Sequence, residues 1–92
     1  MTEMISERLI LIGASGHGKV VADIARLTGY SDIVFLDDRE DVTKCGQYPV
    51  LGKPAELERI PGDVFVSIGR ADIRSKFMER YRDRHFPILV HP

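Results

Sequence analysis

The chain has 92 residues, a single cysteine and a formal net charge of -1, with 43% hydrophobic and 29% charged residues. That balance describes one small globular domain and lacks the basic excess that nucleic acid or an acidic membrane surface attracts. No apolar run nears the roughly 18 residues that cross a bilayer; residues 1–8 are polar and unlike a signal peptide; and the lone Cys45 excludes an internal disulfide and suits a reducing cytoplasm.

The first predicted element is the apolar strand Arg8–Ile12. Gly13-Ala14-Ser15-Gly16-His17-Gly18 follows and opens into a helix over 17–28. Val20, Val21, Ile24, Ala25 and Leu27 recur at helical spacing as its inward face, and Gly29 stops it. A second strand, Asp32–Leu36, ends in Asp37-Asp38. A polar loop over 39–48 carries Cys45, read as a loop cysteine rather than a nucleophile. A short extended piece is expected over 49–52, then a short helix Pro54–Arg59 with proline in its first turn. Pro61-Gly62 is a turn, and 63–68 is a strand ending at Gly69. A helix over 71–84 turns Ile73, Phe77, Met78 and Tyr81 inward, and 87–90 is a last short strand.

Continuously apolar strands alternating with amphipathic helices imply βαβ units on a parallel sheet covered on both faces. Right-handed crossovers then give a small, doubly wound, Rossmann-like α/β domain over 1–92, with four or five strands. Ligands of such sheets bind at the carboxyl ends of the strands. Three features fall there: the glycine loop, Asp37-Asp38 and Gly69-Arg70.

The first amides of a helix lack internal partners and sit at the positive end of its dipole. A strand, a glycine turn and a helix start therefore make a seat for phosphate. Gly13 and Gly18 occupy the first and third places of the dinucleotide fingerprint G-x-G-x-x-G, but Ser15 stands in the second and Gly16 is extra. The Ser15 hydroxyl can donate to a phosphate oxygen; a tight turn without a ligand uses the same residues. Asp37, 19 residues beyond Gly18, can accept from a ribose diol or a base N–H. Asp38 shares that reading, and both residues also suit a plain turn. His17 either meets a phosphate or substrate group or is an exposed first-turn residue. Arg70 and Arg74 either bind an anion in the crevice or are solvated helix charges. Val20 after Lys19 rules out a P-loop, which needs Ser or Thr there. His85 and His91 flank the last strand without partners at ligand spacing. There is no zinc spacing, no G-x-S-x-G elbow and no paired general acid and base.

The string from Leu9 to Asp23, with Gly13-Ala14-Ser15-Gly16-His17-Gly18-Lys19-Val20-Val21 at its centre, resembles the N-terminal domain of the NeuD/PglD sugar O- and N-acyltransferases. Phe35-Leu36-Asp37-Asp38, Pro49-Val50-Leu51-Gly52, and Ser67-Ile68-Gly69 followed by Arg74 are similar to the family's later motifs, in the same order. Gly69-Arg70-Ala71-Asp72 departs from the Gly-Asp-Asn of the family. The resemblance implies a domain that holds a UDP-linked amino sugar or a related sugar. Gly13, Ser15, Gly16, His17, Gly18, Gly69 and Arg74 would line the site, and Asp37 and Asp38 would face the uridine. It also implies an acetyl-CoA-dependent enzyme. The acetyl-CoA site and the catalytic histidine would belong to a C-terminal left-handed β-helix of hexapeptide repeats that forms the trimer. No such repeat occurs in these residues, so no catalytic residue and no cofactor site are expected in this domain. The residues alone also leave open an NAD(P)-binding module of a dehydrogenase, or a domain that binds no small molecule. Ser15 in the second-glycine place and the small size weigh against the dinucleotide.

Overall fold

Alternation within each apolar strand decides the architecture, because neighbouring side chains in a strand point to opposite faces and both faces must be covered. A computed structural model describes residues 7–89. In chain order these form β1 (Arg8–Ile12), α1 (Gly16–Leu27), β2 (Asp32–Leu36), β3 (Lys44–Cys45), β4 (Tyr48–Gly52), a 3₁₀ helix (Pro54–Arg59), β5 (Asp63–Val66) and α2 (Ala71–Arg80). The strands make one sheet in the order β3-β4-β2-β1-β5. All pairings are parallel except that of β3 with β4. The expected Rossmann-like α/β fold is the fold observed.

The register places Leu9 opposite Ile33 and Asp63, and Ile12 opposite Leu36 and Val66. Leu9, Leu11, Ile33 and Phe35 therefore share one face, where they pack on Val21, Ala22 and Ala25 of α1. Ile10, Ile12, Val34, Leu36, Val64 and Val66 share the other, beneath Leu57 of the 3₁₀ helix and Tyr81 just after α2. Because β2 and β5 flank β1 on opposite sides, the chain leaves the carboxyl end of β1 at a topological switch point, where this fold class opens its crevice. No helix among the described residues is long and apolar enough to cross a membrane.

Several expectations need correction. Val20 and Leu27 are not on the inward face of α1; they are 56% and 66% exposed. The buried stripe is Gly18, Val21, Ala22 and Ala25, small residues that bring the helix backbone close to the sheet and rotate the larger side chains outward. The polar loop over 39–48 contains β3, which pairs with β4 through a turn at Gly46 (φ +61°). Cys45 is consequently a buried core residue; burial pushes its thiol up, against the opposing effect of the Lys19 charge.

Helix α2 stops at Arg80 rather than 84. The Arg84 guanidinium instead folds back and donates to the carbonyls of Leu57, Ile60 and Gly62. Ile73 and Met78 remain 36% and 43% exposed, so α2 meets the core mainly through Phe77 and Tyr81. The expected strand over 87–90 is absent over 87–89; residue 90 and His91 lie outside the described residues. Val64 N does donate to His85 O at 2.9 Å, as at the start of a parallel ladder. The next rung of that ladder would be donated by residue 87, and Pro87 has no N–H.

Candidate functional site

The turn between β1 and α1 is built by fixed contacts. Gly13 has φ +107°, a region closed to most side chains, and its N–H donates to Leu36 O at 2.9 Å. The Ser67 hydroxyl, just beyond β5, lies 2.8 Å from the carbonyl oxygens of both Ile12 and Gly13 and shares its one proton between them. Ser15 is the N-cap: its Oγ accepts from Gly18 N at 3.2 Å, and Lys19 N donates to Ser15 O at 2.9 Å. The capping bond leaves the Ser15 O–H free to donate elsewhere.

The glycines divide by what the fold demands of them. A Cβ on Gly18 would lie 2.4 Å from Gly13 O and 2.9 Å from Phe35 Cε1, so close helix–strand packing excludes any other residue. A Cβ on Gly16 would meet nothing within 4 Å, and its φ is not positive. The same holds for Gly69. Packing thus gives no reason for glycine at 16. The amides of Gly16 and His17 have no acceptor among the described residues, and the first turn of α1 carries no acidic side chain. Two free N–H groups at an unneutralised helix start are what an anion needs. The start of α2 differs, since Asp72 lies in its first turn and pairs with Arg70 at 2.8 Å.

Asp37 closes the other side of the turn. Its Oδ2 accepts from Ala14 N at 2.7 Å and from Arg39 Nη2 at 3.1 Å. Its Oδ1 accepts from Arg39 N and Arg39 Nε, each at 2.9 Å. The Arg39 guanidinium holds the carboxyl well below the usual carboxylate range, against the opposing effect of burial; the Arg39 and Ala14 amides add to the lowering. Arg39 Nη2 also donates to Ala14 O at 2.8 Å, so both polar groups of residue 14 are clamped.

The expected residues are thus partly gathered. Gly13, Ser15, Gly16, His17 and Gly18 form one turn, and Asp37 bonds to it directly. His17 and Arg74 meet across a cavity of about 280 Å³ whose walls include Phe65, Met78, Phe86 and Ile88. Gly69 is exposed beyond β5, and Asp38 is exposed beyond β2. Lys19 does not turn toward the loop; its aliphatic stem packs over Gly46. A second hollow of about 270 Å³ at the carboxyl ends of β2 and β4 is lined by Asp37, Arg39, Val50, Leu51 and Lys53. A third, of about 290 Å³ beside Arg26, Asp32 and Gln47, lies at the amino ends of those strands, away from the loop. Sequence reasoning missed Arg39, and it took Ser67 only as part of a motif. Arg39 lies only two residues from Asp37, a local spacing that could have marked the pair, whereas its bond to Ala14 spans 25 residues. The partners of Ser67 are 55 and 54 residues distant, so no local spacing marks it. Among the described residues no group of three or more His, Cys, Asp or Glu side chains is placed to hold a metal ion.

Comparison with known proteins bears on the family and the fold. The family described as the PglD N-terminal domain matches residues 8–81. The acetyltransferase domain of PglB from Neisseria gonorrhoeae, solved with acetyl coenzyme A, is 39% identical with a TM-score of 0.84; the match covers 95% of this chain and 45% of that one. PerB from Caulobacter crescentus, solved with CoA and GDP-perosamine, is 30% identical with a TM-score of 0.72, over 91% of this chain and 42% of that one. A mutant of perosamine N-acetyltransferase from the same organism, with the same two ligands, is 28% identical with a TM-score of 0.74. The chain spans a little under half the length of these structures.

Proposed function

The chain belongs to the PglD N-terminal domain family, and from that premise we propose that it is the nucleotide-sugar-holding part of an acetyl-CoA-dependent sugar acetyltransferase. The observation that carries the reading is the start of α1, where two unclaimed amides lie behind a glycine, Gly16, that packing does not require. The ligand we assign is a UDP-linked amino sugar or a close relative. Its diphosphate lies on the Gly16 and His17 amides, within reach of the Ser15 hydroxyl. Its nucleoside lies toward the end of β2, and its sugar toward His17 and Arg74. That relatives are solved with GDP-perosamine, a nucleotide-linked sugar, supports the ligand class. Acetyl transfer and the acetyl-CoA site belong, in this reading, to the portion of such enzymes that this chain does not span. The domain's own work is to bind, orient and present the acceptor sugar in a soluble, cytoplasmic enzyme.

Calorimetric titration with UDP-N-acetylglucosamine, UDP, NAD, NADP and acetyl-CoA tests the proposal. The expected result is saturable binding of both uridine ligands, abolished by Gly16→Val in a chain that still folds. Binding of NAD or NADP alone would move the domain to dehydrogenase chemistry, where an arginine near the end of β2 accommodates a 2′-phosphate. Unchanged UDP affinity in Gly16→Val would remove the phosphate seat.

A further inference from the structure

At the end of β2 the chemistry open to a ligand is that of a donor. The Asp37 carboxylate accepts four N–H groups, two on each oxygen, which fills the acceptor sites such a group has. Its side chain is only 10% exposed. A ribose diol or base N–H could reach it only by displacing Arg39 or Ala14. Arg39 is the opposite case. Of its five N–H donors, Nε serves Asp37 and Nη2 serves Asp37 and Ala14 O. The two N–H groups of Nη1 have no acceptor among the described residues. The Arg39 side chain is 56% exposed and lines the hollow of about 270 Å³ at the carboxyl ends of β2 and β4. Three bonds hold its plane, so those two donors are presented in a fixed direction, and little rotamer freedom remains to be lost on binding.

We propose that Arg39, and not Asp37, contacts the nucleotide at the end of β2, donating its Nη1 N–H groups to an acceptor oxygen of the ligand. Asp37 is then a positioning residue, which holds Arg39 against the loop and fixes Ala14. The ligand group is an oxygen of the nucleoside or of its adjoining phosphate. The inference deepens the nucleotide-sugar reading and rests on it.

The test is titration of the 92-residue chain, Arg39→Met, Arg39→Lys, Asp37→Asn and the Arg39→Met/Asp37→Asn double variant with UDP. Arg39→Met keeps the bonds that Asp37 accepts from the Ala14 and Arg39 amides, so the chain should still fold cooperatively, with a melting temperature lowered by no more than that of Asp37→Asn. Its UDP affinity should fall about tenfold, as for a lost charged hydrogen bond. Arg39→Lys should keep part of the affinity, because a lysine cannot reproduce the planar fork. Asp37→Asn should weaken UDP in the parent yet add little in the Arg39→Met background, since both changes remove one device; a merely structural Asp37 would give additive losses. Uridine, followed by NMR, separates the two sources of the oxygen. Equal uridine affinity in parent and Arg39→Met assigns a phosphate oxygen, and a matching loss assigns the nucleoside. An Arg39→Met variant that binds UDP like the parent overturns the inference. If Gly16→Val still abolishes binding in that case, the nucleotide-sugar reading survives it; if the parent binds no UDP at all, both fall.

Discussion

Substituting alanine at Gly18 and at Gly16 should shift stability in opposite directions, two residues apart in one turn of helix. At Gly18 the added methyl would stand 2.4 Å from Gly13 O, 2.9 Å from Phe35 Cε1 and 3.1 Å from Ser67 Oγ. An ordinary contact begins near 3.4 Å, so α1 or the loop must move by about 1 Å. Gly13 O cannot retreat easily, because the Ser67 hydroxyl holds it at 2.8 Å. Overpacking of this kind costs about 1–3 kcal/mol, and a backbone obstacle puts it at the upper end. Helix propensity returns up to about 1 kcal/mol for replacing glycine by alanine. The net loss is about 2 kcal/mol, which for a domain of this size lowers Tm by about 8–16 °C. At Gly16 the methyl meets open space at a normal φ, so only the propensity gain remains, and Tm should rise by a few degrees. Thermal and urea unfolding followed by far-UV circular dichroism reads both. A Gly18→Ala variant within about 0.5 kcal/mol of the parent would refute the close-packing argument, as would a Gly16→Ala loss as large as that at 18.

Asp37→Asn should reshape the acid limb of stability. The folded carboxyl titrates below its unfolded value of about 3.9, so its contribution is whole above pH 4 and fades as the pH falls further. The variant should lose about 2 kcal/mol at neutral pH and show a flatter fall below pH 4; parallel pH curves would contradict the assignment. Tyr30→Phe removes the 2.6 Å bond from the buried hydroxyl to Asp63 Oδ2 and should also cost about 2 kcal/mol. Burial, and then Asp63, raise the Tyr30 hydroxyl well above its ordinary value, so parent stability should decline as the pH passes about 10. In Tyr30→Phe that decline should be smaller. Leu57→Ala empties a fully buried position beneath the 3₁₀ helix and should cost about 2–5 kcal/mol in urea unfolding; a loss under 1 kcal/mol would mean that this helix is not docked.

Strand content was legible wherever apolar runs were continuous. Arg8–Ile12 and Asp32–Leu36 begin and end where the sequence places them, because a strand buried on both faces tolerates no polar interruption. The inward face of α1 was not legible. Periodicity alone ranks Val20 and Leu27 above Gly18 and Ala22, but the helix approaches the sheet through its smallest residues, and that closeness, not hydrophobicity, sets its rotation. Likewise Pro87 blocks a rung that only the pairing of Val64 with His85 makes visible. At the site, sequence supplied the loop and the acidic pair. It could not show that Arg39 and Ala14 together fill the Asp37 carboxylate, since Ala14 reaches it only where β2 ends beside the loop.

The same division bears on how the glycine motif is read. Gly13 and Gly18 are required by a positive φ and by close packing, so a domain of this shape would keep them whether or not it ever met a ligand. Their presence argues for the turn alone. The residues that speak of a guest are those the fold leaves unexplained: Gly16, whose missing side chain relieves no clash, and the two amides at the start of α1 that have no acceptor among the described residues. Ser15, in the place where a dinucleotide fold carries its second glycine, already serves as the cap of α1, and a larger group than hydrogen there narrows the approach to the loop. That is why the proposed ligand is a short diphosphate held from one side, with the donor at the end of β2 meeting its nucleoside or the adjoining phosphate, rather than a dinucleotide stretched across the loop.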